Sequence, residues 1–207
     1  YAVFLEWPYF FSQPLDIFKI WQGGLAIHGA IIGGLIALWL FAKKYQRNFW
    51  QLAAIAVTVL PLAQAFGRWG NYFNQELFGY PTNLPWGLLI DLAHRPWQYL
   101  NYDYFHPAFL YESIGSLIIF FILILLQIWL IKRQTSSTPR YELCIVSYAI
   151  LYSLLRFFTE SIRIDATPLV WGWRLPQLVS LLIILAGLLY LPLYFRRKTN
   201  NGQALEK

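Results

Sequence analysis

Residues 51–76 read QLAAIAVTVLPLAQAFGRWGNYFNQE. The first sixteen positions are almost wholly apolar, and the next ten carry Arg68, Asn71, Asn74, Gln75 and Glu76. If positions 51–66 cross a lipid bilayer, the polar block marks the end of the crossing; if they fold in water, it is an ordinary surface segment. Reading this run as a membrane span or as a buried core helix decides the fold.

The rest of the chain decides for lipid. Of 207 residues 58% are hydrophobic and only 13% are charged, about half the soluble average of roughly 25%. Mean hydropathy is +0.46. Ten Trp, 14 Tyr and 16 Phe supply the rings that settle at a bilayer interface, where an apolar body can keep one polar edge wet. The formal charge of +6 is therefore read against lipid headgroups. No cationic tract interleaved with exposed aromatics supports nucleic-acid binding. The single cysteine, Cys144, allows neither a disulfide framework nor a cysteine metal site and reads as a small buried hydrophobe. A chain with no methionine that opens on Tyr1 reads as a fragment lacking its N-terminus, and no cleavable signal peptide is visible.

Runs of about 18 apolar residues mark spans. LAIHGAIIGGLIALWLFA fills 25–42, the run at 51–66 follows, and IGSLIIFFILILLQIWLI fills 114–131. Two more lie at 142–160 and 177–195. Pro61 interrupts the second span, and Arg156 with Glu160 closes the fourth. The expected fold is an all-α integral membrane protein of five spans in one membrane domain, residues 1–207, opening on an interfacial segment at 1–24. Ten of the sixteen basic residues fall in KKYQR (43–47), KRQTSSTPR (132–140), RRK (196–198) and Lys207, at alternate span ends. Short loops rich in Lys and Arg stay cytoplasmic, so the other face is the outer one. It holds eight of the ten acidic residues, Glu112, Glu160 and Asp165 among them, and the aromatic, proline-punctuated loop at 69–108, expected to lie along the membrane surface.

Ionisable groups within spans are costly and point to function. In YSLLRFFTESIR, residues 152–163, Tyr152, Arg156, Glu160 and Arg163 are four, four and three apart and share a helical stripe. Either Arg156 and Glu160 neutralise each other while Arg163 snorkels to the interface, or the second arginine leaves a cation free for a ligand. Arg68 and Asn71 are three apart, and Gly67, Gly70 and Gly79 leave the backbone open to close approach by a ligand. A lone interfacial arginine anchors. Two from different spans at one depth fit an anion site, because a guanidinium fork matches phosphate, and the phosphate at that depth belongs to a phospholipid. His28, within GGLAIHGAIIGG (23–34), lies near the outer end of its span and suits an interhelical hydrogen bond as well as it suits catalysis. The three histidines stand apart, no acidic cluster has ligand spacing, and no Gly-Lys-Ser/Thr follows the glycines, so neither a metal site nor a P-loop is expected.

GGLAIHGAIIGG, GRWGNYFNQELFGYPTNLPWG, HPAFLYES, LYSLLRFFTESIRID and a late QLVSL resemble, in this order and through almost the whole chain, the bacterial phosphatidylglycerol:prolipoprotein diacylglyceryl transferases. The Gly-Arg-x-Gly-Asn block is that family's signature. The resemblance implies a seven-span inner-membrane enzyme that moves a diacylglyceryl group from phosphatidylglycerol to the lipobox cysteine thiol of a preprolipoprotein, releasing glycerol phosphate without metal or cofactor. It implies that Arg68 contacts phosphatidylglycerol with Asn71 and Glu76 beside it, that Arg156 is a second essential arginine with Tyr152, Glu160 and Arg163, and that His28 matches the family's His-Gly-Gly histidine. Ala30, Gln75 and Phe109 depart from the common pattern without removing a charge. The family's first two spans have no counterpart here. For the thiol, His28 is the candidate base, Tyr152 competes, and the arginine field alone is a third option. A different class, a phospholipid-binding or translocating protein without chemistry, would use the same arginines.

Overall fold

The computed structural model describes residues 7–13, 27–132 and 141–204, the side chains of residues 7, 10, 27, 28, 193 and 195–204 excepted. The chain divides into two compact units, Tyr1–Ala53 and Ala54–Lys207.

The first unit contains the short helix α1, Trp7–Ser12, and the helix α2, Ile27–Lys44, which closes on Lys43 and Lys44. Cations suit a helix C-terminus, where unpaired carbonyls concentrate negative charge. Residues 25 and 26 of the expected first span lie outside the described residues. After the turn at 45–48, Asn48 caps the next helix: its Oδ1 accepts from the backbone N–H of Trp50 at 2.8 Å and of Gln51 at 3.2 Å.

That helix, α3, runs Phe49–Phe73, seven residues beyond the expected end of its span. Pro61 sits inside it without ending it. The GRWGNYF block is thus the last two turns of the helix, and the loop first read as 69–108 starts after Phe73. The block stays helical because each polar group meets a partner, as the site shows. The helix ends at Phe73, and Gln75 two residues on takes a φ of 49°, in the left-handed region.

Three helices complete the second unit: α4 (Ala108–Lys132), α5 (Tyr141–Ile162) and α6 (Leu175–Ala204). α5 packs against both α4 and α6. Gly115 of α4 faces Leu155, and Gly187 of α6 faces Ile150, so closely that a Cβ on either would come within 2.6 Å of the opposing side chain. Small residues let helices approach where lipid supplies no hydrophobic drive. Among the described residues four helical stretches are long and apolar enough to cross a membrane, Phe49–Phe73, Ala108–Lys132, Tyr141–Ile162 and Leu175–Pro192. Their outward side chains, among them Phe121, Leu125, Leu182 and Leu189, are bare apolar surface. The chain is an all-α, multi-pass membrane protein.

Two short hairpins carry the strands seen in the described residues. In the segment between α3 and α4, β1 (Leu88–Leu89) pairs antiparallel with β2 (Tyr104–Phe105). Phe78, Ile90 and Phe105 form its small core, with Leu88, Tyr99 and Ile164 packed around them. Arg95 laces the intervening loop, donating to the carbonyls of Ile90 and Leu100 and pairing with Asp103 at 2.8 Å. Between α5 and α6, β3 (Leu169–Val170) pairs with β4 (Trp173–Arg174) across a turn in which Trp171 and Gly172 both have positive φ, 50° and 82°, the two-residue turn that matches strand twist.

One glycine ties the first hairpin to the end of α5. Gly79 bridges to Arg163, and its N–H donates to the His106 carbonyl at 2.9 Å. A Cβ there would lie 2.6 Å from Ile162 Cγ2, 2.8 Å from His106 Cβ and 2.9 Å from the Ile162 carbonyl oxygen. Gly79→Ala therefore forces the backbone apart and should cost about 1–3 kcal/mol, as overpacking does, read as a fall of several degrees in the melting temperature in detergent. Gly67→Ala, where nothing lies within 4 Å, should leave the melting temperature unchanged or slightly raised.

Candidate active site: an arginine cluster around Glu112

Glu112 sits in the first turns of α4 with its side chain 4% exposed. A bare carboxylate so placed would lose several kcal/mol of hydration. Three arginines from distant parts of the chain compensate it. Arg68 of α3 brings Nε to Oε2 at 2.6 Å; Arg156 of α5 brings Nη1 to Oε1 at 3.0 Å; Arg163, just past α5, brings Nη1 to the same oxygen at 3.4 Å.

A second carboxylate, Glu160, is as deeply buried and holds Arg156 Nη2 at 2.7 Å and Arg174 Nε at 3.0 Å. Asp165 closes the outer edge, accepting from Arg163 Nε at 2.7 Å and pairing with Arg174 Nη2 at 3.5 Å. Arg174 also donates to the carbonyls of Arg163 and Asp165 and to Thr167 Oγ1. Its place on β4 follows from the tight Trp171–Gly172 turn, which aims it back at the end of α5. Burial works against the charge on Arg163, but its hydrogen bond to Asp165 and the pull of Asp165, Glu112 and Glu160 outweigh it and raise its pKa further.

The four arginines face three carboxylates, leaving a formal surplus of one positive charge. Arg68 and Arg156 are the accessible members, their side chains 22% and 19% exposed. Among the described residues Arg68 Nη2 and Arg156 Nε make no hydrogen bond to protein. These are guanidinium donors left over for a ligand, in a water-poor setting where charge acts strongly.

The expected residues fall out as follows. Arg68, Arg156, Glu160 and Arg163 converge. Asn71 stands beside them, its Oδ1 accepting from Arg68 Nη1 at 3.5 Å and its Nδ2 donating to Glu76 Oε1 at 3.0 Å. Glu76 also accepts from Asn74. Tyr152, one turn below Arg156, stacks on Tyr148 at 5.6 Å, and Tyr148 accepts from Gln64 Nε2 at 2.9 Å. Gly79 lies against Ile162 and His106, so local packing explains the glycine. His28 stands in the first turn of α2, in the other unit, and its side chain lies outside the described residues.

Two expectations change. Arg163 does not snorkel to an interface; it is buried and paired. Nor does it remain as a free cation beside an Arg156–Glu160 pair, because Glu112 joins both arginines. Glu112, Asp165 and Arg174 were missed as site residues. The available signal for Glu112 was an acid opening the most apolar helix on the face that carries the arginines. Among the described residues no three metal-ligating side chains converge, and the buried acids are committed to arginines.

The family model for prolipoprotein diacylglyceryl transferase matches residues 1–193. The chain is 46% identical over 187 residues to a phosphatidylglycerol–prolipoprotein diacylglyceryl transferase of Synechocystis, which covers 90% of this chain and 65% of that one. It is 45% identical over 191 residues to the protein of that name from Synechococcus elongatus, covering 91% and 64%, and 45% identical over 200 residues to that from Nostoc, covering 96% and 69%. The chain thus spans about two thirds of the length of these relatives.

Glu112→Gln keeps the shape and removes the charge that holds three arginines together. Breaking a buried pair costs about 3–5 kcal/mol, so a drop of roughly ten degrees in the detergent melting temperature is expected. Asp103→Asn, which loosens the exposed pair with Arg95, should cost under about 1 kcal/mol.

Proposed function

We propose that this chain, which belongs to the prolipoprotein diacylglyceryl transferase family, carries the phosphate-binding centre of an enzyme that transfers the diacylglyceryl group of phosphatidylglycerol to the lipobox cysteine thiol of a preprolipoprotein. The observation that supports it is the pinning of Arg68 and Arg156 by one buried carboxylate, with a guanidinium nitrogen of each making no hydrogen bond to protein among the described residues.

The chemistry asks for such a pair. Sulfur attacks the glyceryl carbon that carries the phosphate ester. A C–S bond forms as the C–O bond breaks, and the electron pair leaves on the phosphate oxygen of glycerol phosphate. Charge grows on that oxygen in the transition state. Arginines already held in place stabilise it with little reorganisation, the most effective form of electrostatic catalysis. Glu112 and Glu160 keep the guanidinium groups from splaying apart, while Asn71 orients Arg68. Tyr152 and Arg163 line the same stripe, the latter as a buried support, and Glu76 and Gly79 shape the loop beside it.

The site faces the outer leaflet of a bacterial cytoplasmic membrane in this reading, because KKYQR, KRQTSSTPR and RRK lie at the opposite span ends. That side suits a thiol presented by an exported lipobox peptide. The thiol, with an ordinary pKa near about 8.5, passes its proton to a base; His28 is assigned that role ahead of Tyr152. No cofactor or metal enters the scheme.

The test uses the full-length enzyme with phosphatidylglycerol and a lipobox peptide, following the diacylglyceryl mass increment. Arg68→Gln should cut the rate by about 100-fold or more, the usual cost of one transition-state donor; near-normal turnover contradicts the assignment. A peptide left unmodified by the unaltered enzyme would favour a lipid-binding protein without chemistry. His28→Asn should flatten the acid limb of the rate profile, and an unchanged profile moves the base elsewhere.

A further inference from the structure

Beside the arginine cluster lies a recess of about 370 Å³ lined by Gln75, Glu76, Phe78, His94 and Asp165 among others. It is built and held open by specific contacts. Gln75 and Asp91 bond each other twice, Gln75 Nε2 to Asp91 Oδ2 at 2.9 Å and Asp91 N–H to Gln75 Oε1 at 2.7 Å. Gln75 and Leu77 both take left-handed backbone conformations, φ 49° and 55°, which turn the chain around Glu76.

Two chains of contacts lead from this recess to the arginines. On one side Glu76 Oε1 accepts from Asn71, whose own oxygen accepts from Arg68. On the other, Asp165 holds Arg163, which shares the Glu112 Oε1 oxygen with Arg156. The recess is thus linked to Arg68 through Asn71 on one side and to Arg156 through Arg163 and Glu112 on the other.

Its chemistry is opposite to that of the cluster. The two carboxylates only accept hydrogen bonds, and they repel a phosphate. An uncharged group rich in hydroxyls suits them: it donates to Glu76 and Asp165, and the imidazole of His94 can take either role. The volume falls in the range of small-ligand sites, roughly 300–1,000 Å³, and accommodates three carbons with two hydroxyls.

We infer that this recess is the subsite for the glycerol headgroup of the phospholipid donor, with Glu76 and His94 as specificity-determining residues that read the headgroup diol. The inference rests on the transfer reading above and deepens it. It gives Glu76 a role that phosphate binding alone does not, since a carboxylate next to an anion site would otherwise oppose its ligand. After the C–O bond breaks, the same subsite holds glycerol phosphate by its neutral end until release.

The experiment compares two donors in the full-length enzyme, phosphatidylglycerol and phosphatidyl-n-propanol, which has the same phosphodiester without hydroxyls. Transfer to a lipobox peptide is followed by mass. The unaltered enzyme should favour phosphatidylglycerol by about tenfold or more in kcat/KM, the scale on which a charge-assisted hydrogen bond is lost. Glu76→Ala and His94→Ala should each bring the ratio of the two donors towards one. Equal use of both donors by the unaltered enzyme overturns the inference while leaving the transfer activity standing. So does a ratio that neither variant changes, or a variant effect confined to the KM for the peptide, which would assign the recess to the peptide. Consumption of neither donor removes the transfer reading and this inference with it.

Discussion

A buried carboxylate in the first turns of an apolar helix is tenable only with cations around it, and Glu112 imposes that condition on the whole second unit. Its three partners are 44 residues before it and 44 and 51 residues after it in sequence. Meeting them requires α3 to remain helical past Gly67, α4 to begin beside it, and α5 to bring its last turn to the same depth. The rest of this corner follows. Glu160, buried one turn above Arg156, demands a second cation and obtains it from a hairpin, β3–β4, whose tight turn aims Arg174 inward. The Gly79 bridge then seals the first hairpin onto the same corner. Each buried acid is satisfied by residues that arrive from another element, so the charges specify the arrangement even where they add little net stability.

For function the same pairing matters through preorganisation. An exposed arginine has many rotamers, and a phosphate must order them before it gains anything. Here carboxylates have already ordered Arg68 and Arg156, and each keeps N–H groups that hydrogen-bond to no described residue. In the proposed reaction the small surplus of positive charge suits a site that binds an anionic lipid and then releases an anionic product. In the proposed scheme the recess next to it divides the labour, with guanidinium groups for the anionic part of the donor and carboxylates for the hydroxylated part.

Much of this was legible from the residues. Apolar length pointed to the helices but not to all their ends: 51–66 grew to Phe49–Phe73, 114–131 begins at Ala108, and 177–195 runs on to Ala204. Hydropathy ends a span at the first charge, whereas a helix ends where its backbone loses partners, and Arg68 and Asn71 had partners. The stripe Tyr152, Arg156, Glu160 was visible because helical spacing is local. Glu112, Asp165 and Arg174 were not, because what makes them site residues is a contact across tens of residues. Gly79 was expected, with Gly67 and Gly70, to leave the backbone open to a ligand, whereas Ile162 and His106 press on it, a contact that belongs to tertiary packing. The family likeness supplied the reaction; the geometry supplied Glu112 as the group that holds its arginines.

The most direct test is a structure of the full-length protein with phosphatidylglycerol bound. The account predicts the lipid phosphate within hydrogen-bonding distance, about 3 Å, of both Arg68 and Arg156, with Glu112 still bridging them from behind. A phosphate seated away from both guanidinium groups, with the Glu112 pairs intact, would contradict it.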